Sequence, residues 1–329
     1  MDVTGRVYLI LAAGTSRSGI KKKALRYTEN IAPYRQPVLI YNPTAGKFRK
    51  NPQYYLERTL AALEQCKLRA EPVPTKGPGD ATAIARAAAA SGADLILVLG
   101  GDGTINEAVN GMIHSASALA ILPGGTANVL AVELGLGWRL GPAIQRLPQC
   151  VEERVAAGRL CGREQCRYFL AMGGAGLDAK IVHDLNPALK RRAGKLAYWM
   201  CGFAHIAERV GQFEARINGG VYRCGFALAS RVRNYGGDLE LARGASLRRD
   251  DFEVVLFEGS HPLRYLGYMM AAGVRRVQKM PGVRTAHASS VELTGDVHVQ
   301  VDGEYAGRTP ARFEIVPAAL TLLIPPAYG

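Results

Sequence analysis

The stretch Val98–Gly111, VLGGDGTINEAVNG, sets Gly100, Gly101 and Gly103, an aspartate and a threonine between a continuous apolar run and a segment of helical spacing. The run that leads into it, DLILVLGG, is the kind of strand a parallel sheet buries on both faces. The segment that follows, TINEAVNGMIH, reads as a helix. Strand, glycine turn and helix in that order put the turn at the carboxyl edge of an open α/β sheet. Backbone N–H groups and the helix dipole converge there on a ligand. Glycine lets the main chain approach a phosphate, because no Cβ stands in the way. A carboxylate among those glycines, Asp102, has little packing value and makes chemical sense beside phosphates with Mg²⁺ between them. Thr104 and Glu107 also spell a T-x-x-E capping box, a purely structural role for that pair.

Outward from this stretch the pattern repeats. PVLIYNP and ALAILPGG read as buried strands, and YYLERTLAALEQC, ATAIARAAAASGA and TANVLAVELGL as helices. The second glycine turn carries Gly124, Gly125 and Thr126. A third, YNPTAGK, begins at Asn42 and lacks the G-x-x-x-x-G-K-[ST] spacing of a P-loop. Residues 37–150 are therefore expected to form a doubly wound α/β nucleotide-binding domain. Beyond Cys150 the chain changes to short alternating stretches broken by glycine turns. This predicts an antiparallel β-rich, sandwich-like domain over 151–329, its last residues returning to the first domain. Residues 1–36 form a basic extension, with seven Lys/Arg against two acids.

The composition is that of a globular chain: 329 residues, 48% hydrophobic and 21% charged. No apolar run reaches the ~18 residues of a membrane span, and a cytoplasmic protein is expected. The net charge of +13 favours an anionic partner. Nucleic acid is not that partner, because the basic residues are not interleaved with stacking aromatics and no recognition motif appears. The six cysteines show no paired metal spacing and are expected to be reduced thiols.

NPTAG, TKGPGDA, GGDGTINE and LPGGTANVLAVELGL, in that order, resemble the diacylglycerol kinase catalytic-domain family, which includes bacterial lipid kinases and the sphingosine and ceramide kinases. The likeness continues through NYGGDLELARGASLRRDDFEVVLF and VDGE and covers about residues 37 to 325. It implies a fold like that of NAD kinases and diacylglycerol kinases, with ATP and Mg²⁺ as cofactors and a lipid as substrate. By resemblance Asn42, Thr75, Gly100, Gly101, Asp102, Gly103, Thr104, Ile105, Asn106, Gly125 and Thr126 hold ATP. Asp302 is then the general base, with Glu304 beside it and Asp102 orienting the catalytic Mg²⁺, and Asp302→Asn is expected to fold and to lose turnover. The alternative for Asp302 is an ordinary hairpin, since QVDGEYA is also an Asp-Gly turn signal between strands. Asp250, with the main-chain carbonyls of Leu247 and Phe252, matches a structural Mg²⁺ site. The chain departs from the family at Val129, where an aspartate is usual, and at Asp251, where a glycine is usual.

A lipid has to be met at a surface. Arg264, Arg275, Arg276, Lys279 and Arg284 occur between Leu263 and Arg284 with no acid among them, and Leu266, Met269, Met270 and Val277 fall roughly on one helical stripe. Lys190, Arg191, Arg192 and Lys195 precede the apolar LAYWMCGF. Basic residues beside apolar ones suit an anionic leaflet and predict peripheral binding to the inner membrane face; the alternative for the Met-rich stripe is core, or one wall of an acyl-chain cleft. The alternatives are an NAD kinase-like enzyme, or a catalytically degenerate family member that binds nucleotide or membrane.

Overall fold

The computed structural model describes residues 34–46, 48–162, 166–184, 210–236 and 239–329. The Lys21–Lys23 run, the Lys190–Lys195 cluster and Cys201 lie outside them. Strands β1 (Pro37–Tyr41), β2 (Glu71–Pro74), β3 (Leu95–Gly100) and β4 (Ala118–Pro123) lie side by side and parallel in the order β2-β1-β3-β4. Every residue of β3 and β4 is buried, as their unbroken apolar runs require. Helices α1 (Pro52–Gln65), α2 (Asp80–Ala90), α3 (Asp102–Met112), α4 (Val129–Glu133) and α5 (Leu140–Arg146) connect or flank these strands.

The remainder is antiparallel. β5 (Val151–Cys161) and β6 (Cys166–Phe169) form a hairpin. β7 (Met172–Gly176) leads into α6 (Leu177–Asp184) and belongs to a six-stranded second sheet, between the strands Phe226–Ser230 and His298–Val301. The long closing strand Ala311–Ile324 joins the two halves. Its first part pairs with Ser290–Thr294, its end lies parallel to β4 through Thr321 and Leu322, and β5 runs antiparallel along it. The parallel sheet is thereby extended to ten strands. Phe169, Phe252 and Phe313 pack together in the second core, Phe169 stacked on one and edge-on to the other. No helix among the described residues is long and apolar enough to cross a membrane.

One expectation on the cysteines is corrected. Cys161 and Cys166 face each other across the β5–β6 hairpin with Cα atoms 4.3 Å apart and are disulfide-bonded. Cys66, Cys150 and Cys224 are free thiols.

Candidate active site

A cleft of about 1020 Å³ opens where the carboxyl ends of β1, β3 and β4 meet the second sheet. Three turns form its phosphate end, and they pack on one another through bare backbone. Gly124 N donates to Gly100 O at 2.9 Å. A Cβ on Gly125 would stand 2.5 Å from Gly101 Cα, and one on Gly46 would stand 2.5 Å from Gly124 O. Several of the glycines are thus needed for the turns to nest, before any ligand arrives. Gly101, by contrast, has room above its Cα and lines the cleft with its backbone.

Asp102 ties two of these turns together: its Oδ1 accepts from Val129 N at 2.7 Å. The bond uses the amide at position 129, so the valine there leaves it intact. Burial pushes the Asp102 pKa up to about 6, against the Val129 amide, which stabilises the anion. Asn42 closes an Asx turn on Thr44, whose N and Oγ1 donate to its Oδ1 at 2.9 and 2.8 Å, and its Nδ2 reaches Thr104 Oγ1 at 3.4 Å.

Asp302 and Gly303 form the Asp-Gly turn between His298–Val301 and Glu304–Arg308, both residues with φ in the left-handed region. The carboxylate folds back onto the chain entering β7. Oδ1 accepts from Ala171 N (3.0 Å) and Met172 N (2.9 Å), and Oδ2 from Leu170 N (3.2 Å) and Asn106 Nδ2 (2.9 Å). Burial raises its pKa, while these donors stabilise the anion. A carboxylate offers about four acceptor sites, and here all four are taken. In this ligand-free arrangement Asp302, which the resemblance assigns as general base, lines the cleft and anchors the turn through these four bonds.

Glu304 is placed differently. Its Oε1 lies so close over Gly103 that a Cβ there would meet it at 2.2 Å, and its Oε2 accepts from Arg167 Nη2 at 2.6 Å. Arg167 also grips Asn106 Oδ1 through Nε (2.9 Å) and Nη2 (2.6 Å).

Of the residues expected to hold ATP, Asn42, Thr75, Gly101, Asp102, Gly103, Thr104, Gly125 and Thr126 line the cleft. Three do not. Ile105 is fully buried in the core, Gly100 packs beneath Thr104, and Asn106 spends its side chain on Asp302, Tyr168 O and Arg167. The expected capping box is also corrected. α3 starts at Asp102, so Thr104 lies inside it, and Glu107 accepts from Ala81 N at 3.2 Å, capping α2 instead. Thr126 lies ahead of α4, whose N-cap is Asn128.

Sequence reasoning missed several cleft residues. Arg49 and Lys76 line the phosphate end. On the far side Asp178, from α6, is buried and accepts from Gln300 Nε2 at 2.6 Å and from the Tyr235 hydroxyl. Tyr235 and Leu239 form part of the cleft wall and part of the wall of a smaller apolar cavity with Phe226, Phe257, Tyr265 and Met269. The helix Pro262–Gly273 roofs that cavity with Tyr265, Tyr268, Met269 and Ala272. Its outer face exposes Leu263 (69%) and Met270 (68%), with Val274 (67%) just beyond its end and Arg264, Arg275, Arg276 and Lys279 nearby in solvent. The expected stripe is thus shifted: Val277 is buried, and Met269 faces the cavity.

A parallel α/β sheet with nested glycine turns, basic residues at the phosphate end and carboxylates across the cleft defines a kinase. Residues 36–160 match the diacylglycerol kinase catalytic domain, and residues 171–324 match the YegS C-terminal NAD kinase beta sandwich-like domain. Residues 36–160 thus belong to the diacylglycerol kinase catalytic-domain family. The chain is similar to the diacylglycerol kinase of Bacillus subtilis (strain 168), 29% identical over 284 residues that cover 84% of this chain and 91% of that one. The diacylglycerol kinase of Staphylococcus epidermidis is 29% identical over 286 residues, 84% of this chain and 87% of the relative. In fold the chain resembles a crystal structure of a diacylglycerol kinase from Bacillus anthracis str. Sterne, with TM-score 0.72 and 22% identity, covering 90% of this chain and 99% of that one.

Proposed function

We propose that this kinase transfers the γ-phosphate of ATP to a hydroxyl of a lipid such as a diacylglycerol. The observation that carries this reading is the shared wall of Tyr235 and Leu239, which sets the apolar cavity directly beside the phosphate cleft. A polar acceptor would have no use for that cavity, whereas an acyl chain gains about 0.8 kcal/mol for each methylene it buries there.

Phosphoryl transfer asks mainly for positioning and charge neutralisation. The backbone amides at Gly101 and Gly103, with Arg49 and Lys76, would cradle the phosphates. The hard carboxylate oxygens of Asp102 suit the Mg²⁺ that arrives with ATP. Glu304, whose Oε1 lies over the phosphate turn, takes the proton of the attacking hydroxyl. Asp302 holds Glu304 in place through the turn, and Arg167 holds it directly.

Access would be from a membrane. Leu263, Met270 and Val274, bordered by arginines and a lysine, would enter an anionic leaflet from the cytoplasmic side, with each basic residue near the surface contributing about 1 kcal/mol. The test is ATP-dependent labelling of a lipid panel in mixed micelles, with NAD as a competing acceptor, beside flotation on vesicles with and without phosphatidylglycerol. A labelled lipid and flotation only with the anionic lipid are expected. Labelled NAD and unlabelled lipid would overturn the reading.

A further inference from the structure

Arg231 is fully buried, with 0% of its surface exposed. It follows the buried strand Phe226–Ser230, and its amide donates to Ala171 O at 2.8 Å, beside the segment that holds Asp302. From there its side chain reaches the loop that carries Leu247, Asp250 and Phe252, and Nη2 donates to the Leu247 carbonyl at 2.8 Å. Nε and Nη1 are buried with no hydrogen-bond partner. Burial lowers its pKa to about 10, which leaves it a cation at neutral pH, and the Asp250 carboxylate opposes that shift most strongly, ahead of Tyr328, Asp251 and Asp302.

Leu247, Asp250 and Phe252 are the three residues that the family resemblance assigns to a structural Mg²⁺. A divalent ion there needs the Leu247 carbonyl as an oxygen ligand. In this chain that carbonyl points at a buried guanidinium, which would repel a second cation at close range. Neighbouring Asp251 is committed to Arg249, at 2.5 Å, and to His287, at 3.3 Å. The residues present do not fit a resident divalent ion.

We propose that Arg231 supplies, as an internal guanidinium, the positive charge that a structural metal would bring to this loop, so that the loop is built without metal. A buried charge is expensive to keep and is tolerated where opposite charge balances it. Here the Asp250 carboxylate is the strongest of the opposing charges. The loop is further pinned by Leu247 N donating to the Tyr328 hydroxyl at 2.9 Å and by Arg248 bonding Glu153 at 2.6 Å.

The test reads metal content and melting, so it stands or falls apart from the lipid-kinase reading. The nucleotide-free full chain, gel-filtered from millimolar Mg²⁺, is expected to carry no stoichiometric Mg²⁺ and to melt at the same temperature in Mg²⁺ and in EDTA. Asp102→Asn undergoes the same comparison, which removes any effect of Mg²⁺ entering the phosphate cleft. Arg231→Asn, which frees the Leu247 carbonyl and unbalances Asp250, is expected to melt lower and to recover part of the loss in Mg²⁺. One equivalent of retained metal in the wild type, or an EDTA-induced drop that persists in Asp102→Asn, would overturn the proposal even if the Arg231 variant fails to fold. So would an Arg231→Asn protein that melts with the wild type in EDTA.

Discussion

Asn106 and Asp302 stand 196 positions apart in the chain, and Asn106 Nδ2 donates to Asp302 Oδ2 at 2.9 Å. The bond joins α3 of the nucleotide half to the hairpin turn of the antiparallel half, at the floor of the cleft. Each Asp302 oxygen accepts two donors. An asparagine at 302 must therefore turn its NH₂ toward two N–H groups, whichever way the amide sits. Asp302→Asn is expected to lose about 1–3 kcal/mol of stability together with turnover, seen as a lower melting temperature. A variant that melts with the wild type and loses only turnover would restore the proton-acceptor role to Asp302.

Asp102 should behave in the opposite sense. Its folded pKa, about 6, lies above the ordinary 3.8, so the folded chain holds this proton more tightly than the unfolded chain. The contribution of Asp102 to stability consequently falls as pH rises from about 4 to about 6 and stays low above that. Asp102→Asn keeps an acceptor for Val129 N and removes the buried charge. In nucleotide-free, Mg²⁺-free buffer it is expected to be more stable than the wild type at neutral pH, by up to about 2–3 kcal/mol, and the gap should close in acid. Melting curves across that range decide it, and a gap that widens in acid would reverse the sign.

Glu304→Gln is nearly isosteric and keeps an acceptor for Arg167. If Glu304 takes the hydroxyl proton, kcat should fall by about 10²–10⁴ with the melting temperature unchanged. An intact kcat would move the proton to another acceptor and leave the fold untouched.

How much of this was legible follows the range of the interactions. β3 and β4 announce themselves because burial on both faces demands unbroken apolar runs, and the glycine turns are local patterns. The phase of α3 is also local, yet Ile105 belongs to the core face, so a motif read as a block overassigns it to ATP. Glu107 was misread because its partner, Ala81 N, lies on another helix. Asp178 and Gln300 are 122 positions apart, and only sheet topology brings them together. Arg231 gave no signal, since a single arginine in a loop-like stretch reads as solvent-facing until the packing buries it. For Glu107, Asp178 and Arg231 the missing information was a long-range contact.

The apolar cavity makes a prediction that separates the lipid from the phosphate end. Met269 is half-buried on its wall, and its flexible side chain can be replaced by a larger ring. Met269→Trp is expected to occupy space that the far methylenes of an acyl chain would use. Excluding two of them forfeits about 1.6 kcal/mol, or roughly tenfold in kcat/KM for a long-chain diacylglycerol. A short-chain diacylglycerol that never reaches the cavity should be phosphorylated as before, and the KM for ATP should not move, because the phosphate end is built by other elements. Overpacking can itself cost about 1–3 kcal/mol, so the comparison is made between the two chain lengths on the same folded protein. Equal losses for both lipids would mean that the chain lies elsewhere, and the cavity would then be only a packing gap beneath the helix Pro262–Gly273.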